Sequence, residues 1–129
     1  MSDRRRAPEP SSVSGMGELE ARVMEVLWER GGWSTPGEVQ GALAPERELA
    51  YTTVMTVLVR LWQKGLLERH RDGRAYAYHP TESREEWAAR RMGELLAAAG
   101  NRSQALGHFL QAMGDAERAQ LRRLLKIDR

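Results

Sequence analysis

Four residues, Arg71-Asp72-Gly73-Arg74, constrain the fold of this chain more tightly than any other stretch. An Asp-Gly pair between alternating residues is a strong short-range signal for a β-hairpin, because both central positions of a type I′ turn take positive φ. Centring the turn on Asp72-Gly73 predicts strands over about 67–71 and 74–79, with Tyr76 and Tyr78 on one face and Ala75 and Ala77 on the other. Pro80 closes the second strand, having no N–H with which to extend a ladder.

The rest of the pattern is helical. Met16, Leu19, Val23, Val26 and Leu27 recur at helical spacing up to Arg30, with Glu18, Arg22, Glu25 and Glu29 on the other side and Gly31-Gly32 as the stop. Thr35-Pro36-Gly37-Glu38 is a capping-box pattern that opens a short helix through Leu43. A third helix runs from about 51 to 64 and stops at Gly65. Ser83-Arg84-Glu85-Glu86 is a second capping box, launching a helix to about 99; two shorter helices follow at about 103–113 and 115–126. Three helices, a two-stranded wing and a helical tail predict a mainly α chain: a winged helix-turn-helix domain over 16–80 and a helical dimerisation domain over 81–129. Residues 1–15, rich in Pro, Ser and Gly with an Arg triplet from Arg4 to Arg6, read as a disordered tail.

The third helix carries an unusual polar face. At about 100° per residue, Tyr51, Val54, Met55, Val57, Leu58, Val59, Leu61 and Trp62 fill one continuous arc. Thr52, Thr53, Thr56, Arg60, Gln63 and Lys64 fill the remaining arc of about 120°, which contains no acid. A face meant only for water ordinarily mixes Glu with Lys. Short hydroxyls instead let a helix backbone approach base edges, and arginine reaches guanine or phosphate, so this face is expected to enter a duplex groove. Arg69, Arg71 and Arg74 crowd the hairpin and are expected to touch the DNA backbone or minor groove. Winged helices also serve as protein-docking modules, and that alternative stays open on the sequence.

Other function classes find little support. The chain has 129 residues and no cysteine, so disulfides, zinc fingers and thiol nucleophiles are excluded. His70, His79 and His108 lack metal-ligand spacing, and no phosphate loop, nucleophile elbow or dinucleotide fingerprint is present. No enzyme, cofactor or metal site is expected. No apolar run approaches the roughly 20 residues of a membrane span, and the N-terminal stretch lacks the apolar core of a signal peptide, so a cytoplasmic protein without membrane insertion is expected. The formal net charge of +2 does not by itself demand a polyanion, so the placement of the arginines has to decide.

The tail reads as an assembly element. Trp87, Met92, Leu95 and Leu96, then Leu106, Phe109 and Leu110, then Leu121, Leu124 and Leu125 form apolar stripes broader than one neighbouring helix can bury, which predicts a homodimer.

The segments Gly17–Trp28, Thr35–Leu43, Leu49–Pro80 and Ala105–Leu110 together resemble the BlaI/MecI, or penicillinase-repressor, family of bacterial winged-helix regulators. The resemblance implies a homodimeric repressor on a palindromic operator, controlling β-lactamase or other stress genes. It places recognition contacts on Thr52, Thr53, Thr56 and Arg60, and wing contacts on Arg71 and Arg74. In some such systems a membrane sensor-protease triggers cleavage in the C-terminal lobe. The matching stretch here is Leu106-Gly107-His108-Phe109, which implies cleavage after His108. Copper-responsive relatives carry a C-terminal cysteine cluster that this chain lacks.

Overall fold

A computed structural model describes residues 16–127; the tail expected over 1–15 lies outside the described residues. The element order is α1 (Glu18–Arg30), α2 (Pro36–Leu43), α3 (Tyr51–Gln63), β1 (Leu67–Asp72), β2 (Ala75–Pro80), α4 (Arg84–Ala97), α5 (Arg102–Ala112) and α6 (Asp115–Ile127). The chain divides into two compact units between Trp87 and Ala88, inside α4 rather than at the end of the hairpin.

In the first unit α1, α2 and α3 wrap one core. Val23 and Leu27 of α1, Val39 and Leu43 of α2, and Leu58 and Leu61 of α3 are among its buried residues, joined by Leu67 and Tyr78 from the hairpin. Both capping boxes form as the sequence predicts. Thr35 Oγ1 accepts from the Glu38 N–H and Glu38 Oε1 accepts from the Thr35 N–H. Ser83 and Glu86 exchange the same two bonds at the start of α4.

The turn differs from expectation. Asp72 pairs with Ala75, so the two loop residues are Gly73 and Arg74, one position later than predicted. Only Gly73 takes positive φ, at 67°, which is the signature of a type II′ turn with glycine first. The shift leaves Asp72 on a strand with an ordinary backbone and relieves it of the left-handed conformation that a type I′ turn would impose.

A second feature left no trace in the sequence pattern. Ser34, just before α2, bridges β2: its N–H donates to the Tyr78 carbonyl at 2.9 Å and its carbonyl accepts from the Tyr78 N–H at 2.8 Å. This single antiparallel bridge ties the wing to the helices through the backbone, and Arg30 Nε donates to Ser34 Oγ alongside it.

Trp28 of α1 extends the first unit into α4. Its indole N–H donates to the Glu82 carbonyl at 3.0 Å, and its ring meets that of Trp87 at 6.0 Å between centroids. Trp87, expected in the dimer face, is thus packed within its own chain, because one indole on α1 offers both a ring face and a donor to the start of α4.

Ion pairs join the helices at the surface. Arg22 of α1 donates through Nε and Nη2 to the Glu46 carboxylate, in the connector after α2, at 2.5–3.0 Å. These hydrogen bonds hold the Glu46 carboxyl below the usual carboxylate range and raise the Arg22 guanidinium further. A carboxyl depressed on folding contributes stability above its unfolded value, about pH 4.3, and loses it as pH falls through the folded one. Glu46→Gln should therefore lower the urea midpoint slightly at neutral pH, with the deficit closing as pH drops below about 4. A deficit that is constant from neutral pH into acid would show that the charge pair is not its source.

Candidate nucleic-acid interface

The third helix is fixed by a narrow line of contact. Val54, Val57, Leu58 and Leu61 are buried. Tyr51, Met55 and Trp62, placed in the buried arc by periodicity alone, keep 42%, 39% and 37% of their surface. Val59 is half-buried. The solvent-facing arc is therefore wider than expected, about 220° at 100° per residue, with an apolar flank beside the hydroxyl strip. A small unit can cover only one side of a helix, so residues at the rim of the apolar arc stay open.

Thr52, Thr53, Thr56, Arg60, Gln63 and Lys64 are all exposed. Thr56 Oγ1 donates to the Thr52 carbonyl at 2.9 Å, one turn back in the same helix. That bond settles the Thr56 hydroxyl hydrogen and turns its lone pairs and methyl outward, a form suited to a base amino group or a thymine methyl. No salt bridge links Arg60 to another described residue, so its guanidinium keeps its donor set for an external acceptor. Ala50 caps α3 without a side-chain bond, which leaves the positive end of the helix without a side-chain acceptor.

Two of the expected contacts are engaged within the protein. Lys64 Nζ donates to Glu20 Oε1 of α1 at 2.7 Å, and the Glu20 side chain is 12% exposed. The ammonium at the C-terminal end of α3 thus fastens that helix to α1, with its charge partnered. Arg69 lies over the Trp62 ring at 3.6 Å and over the Tyr76 ring at 3.9 Å, and Nη1 reaches the Tyr78 hydroxyl at 3.5 Å. Contacts of this kind contribute about 0.5–2 kcal/mol each, depending on how far water is excluded.

Arg71 and Arg74 are exposed at the outer end of the hairpin. Arg71 sits 5.2 Å from the Tyr76 centroid and its Nη1 donates to the Arg74 carbonyl at 3.5 Å. The register sets this face: Arg69 pairs with Tyr78 and Arg71 with Tyr76, so two arginines and two tyrosines share one side of the wing. On the other side Trp33 packs edge-on against His70 at 4.2 Å and lies 5.2 Å from His79. Sequence reasoning missed Trp33 and Ser34 because the segment between α1 and α2 has no periodicity. It could have found the Arg69 contact with Tyr76, since a loop at Asp72-Gly73 sets Arg69 opposite that ring and the observed register sets it diagonal to it.

In the second unit the predicted tail residues lie at the surface. Met92, Leu95, Leu106, Phe109, Leu110, Leu124 and Leu125 are exposed, between 39% and 60%. Leu96 and Leu121 are half-buried. His108 and Phe109 lie within α5, on a continuous helical turn.

The penicillinase repressor family model matches residues 16–127. The transcriptional regulator BlaI of Mycobacterium tuberculosis is 44% identical over 118 residues, covering 89% of this chain and 86% of that protein. The penicillinase repressor of Bacillus licheniformis is 32% identical over 68 residues, 53% of this chain and 52% of that one. A solution structure of the DNA-binding domain of the repressor BlaI aligns with a TM-score of 0.50 and 28% identity, over 59% of this chain and 92% of that domain.

Two outcomes test this surface. Arg60→Ala should weaken binding to a preferred duplex by about 1–3 kcal/mol and leave thermal unfolding unchanged, as gel shift and circular dichroism would report. Arg74→Ala should weaken all sequences alike and reduce the slope of log K against log salt by about one unit. A loss restricted to one base position would contradict a backbone role for Arg74.

Proposed function

The chain belongs to the penicillinase repressor family, and on that premise we propose that it is a DNA-binding transcriptional repressor that lays α3 in the major groove and its wing against the backbone. The family is one of transcriptional regulators rather than enzymes. One observation carries the reading: α3 has no acid anywhere and turns Thr52, Thr53, Thr56, Arg60 and Gln63 to solvent, beside a hairpin that ends in Arg71 and Arg74. A helix of 13 residues is about 20 Å long, and the major groove is about 12 Å wide, enough to admit it.

The active form in this proposal is a homodimer on a palindromic operator. Its support is in the second unit, where no described residue from Ala88 onward is fully buried. Between α4 and α5 lies an apolar cavity of 380 Å³, lined by Met92, Leu95, Leu96, Ala105, Leu106 and Phe109. Helices owe most of their stability to burial of an apolar face, and a second copy supplies that cover. Two-fold symmetry then matches half-sites about 34 Å apart, or multiples of that spacing.

Release from DNA follows, in the same proposal, from cleavage in α5 after His108 by a membrane-sensor protease, with β-lactamase or envelope-stress genes as targets. Gly107 supports that position, since glycine costs a helix about 1 kcal/mol relative to alanine and eases local unwinding.

Selection of bound fragments from the host genome should recover an inverted repeat. Weak binding that is indifferent to sequence, even at low salt, would favour a protein-docking role instead. Phe109→Glu in the full chain should sediment as a monomer and lose most of its affinity for that repeat. A variant that remains dimeric would put the interface elsewhere.

A further inference from the structure

We propose that Arg69 is a positioning residue: stacked on Trp62 and Tyr76, it locks the wing to the recognition helix and is not itself a phosphate contact. The proposal rests on the DNA-binding reading for its functional consequence, but the clamp is a property of the free protein. The root of the hairpin is already pinned by the backbone. Gly65, at φ 84°, ends α3, the Leu66 N–H returns to the Leu61 carbonyl at 3.0 Å, and Thr81 binds the Leu66 carbonyl through both its N–H and its hydroxyl. Those bonds fix where the wing begins. With the Ser34–Tyr78 bridge they hold the wing's base and β2, and they leave its hold on the last turn of α3 to side chains, in a two-stranded ribbon that bends and twists along its length.

Arg69, level with that bridge, supplies an attachment to α3 itself. Its guanidinium carbon is 3.6 Å from the Trp62 centroid, on the last turn of α3, and 3.9 Å from that of Tyr76 on β2, so one side chain joins helix and wing. At those distances the planar group is in van der Waals contact with both rings, and a phosphate cannot enter between them. The Tyr78 hydroxyl, 3.5 Å from Nη1, lies at the same side chain. Arg71 and Arg74, exposed at the tip, are then the groups the clamp holds in place. Arginine suits this role in a way lysine does not, because a flat delocalised cation lies along an aromatic face while an ammonium offers only a point charge.

The test uses the full chain and a mixed-sequence DNA duplex. If Arg69 clamps, Arg69→Lys and Arg69→Met weaken binding alike, by roughly three- to thirtyfold, and Trp62→Ala does the same. The Trp62→Ala, Arg69→Met double variant is no weaker than either single one, and Trp62→Phe, which keeps a ring face, restores most of the affinity. If Arg69 instead binds phosphate, Arg69→Lys keeps the parent affinity, Arg69→Met lowers the salt slope by about one unit, and Trp62→Ala leaves that slope alone; this result overturns the proposal, as do losses that multiply in the double variant. NMR of the free protein reads the clamp without DNA. The Arg69 δ-methylene protons should resonate upfield through the ring currents of Trp62 and Tyr76, and should move back in Trp62→Ala. Unshifted protons in the parent would sink the clamp. Shifted protons in a parent that fails to bind duplex at low salt would instead sink the DNA-binding reading and leave the clamp standing.

Discussion

The burial of Val54, Val57, Leu58 and Leu61 against α1 and α2 sets where every other side chain of α3 can point. Each fully buried aliphatic residue contributes about 1.5–3 kcal/mol, so rotating the helix about its axis would lose far more than any surface contact could return. The hydroxyl strip is presented to solvent because the opposite side is held. Lys64 on Glu20 reinforces the same orientation at the end of the helix, and the Ser34–Tyr78 bridge transmits it to the wing through backbone groups that tolerate little displacement. Exposed strip and core are thus two faces of one constraint.

The wing adds its arginines to that fixed frame at unequal depth. Arg69, near the helix, is stacked and half-buried, whereas Arg71 and Arg74, toward the turn, stand in solvent. Three residues of one type within a short hairpin thereby experience two environments. The difference comes from the register, which puts Arg69 beside the end of α3 and carries the turn away from it.

Much of this was legible in the sequence. Both capping boxes, the order of the elements and the polar strip of α3 follow from patterns whose physics is local. What could not be read depended on which neighbours arrive. Periodicity grouped Tyr51, Met55 and Trp62 with the core, yet nothing in a helical wheel tells how much of an apolar arc a small unit can cover. Asp72-Gly73 marked a hairpin correctly but misplaced its centre by one residue, since a glycine first in the loop serves a type II′ turn equally well. Trp87 reads as a dimer residue from its stripe along α4, and that its ring also meets Trp28, in a distant helix, left no sign in that stripe. The positions of the arginines were visible, but their partners were long-range facts.

The exposed second unit has a consequence for dose. On the dimeric reading, helices without an interior of their own owe their order to mass action, so their melting point climbs with protein concentration. Occupancy of a two-armed site then varies with the square of monomer abundance when copies are scarce. Modest depletion of the pool would both empty the promoter and strip the tail of its cover, leaving the released chains open to degradation.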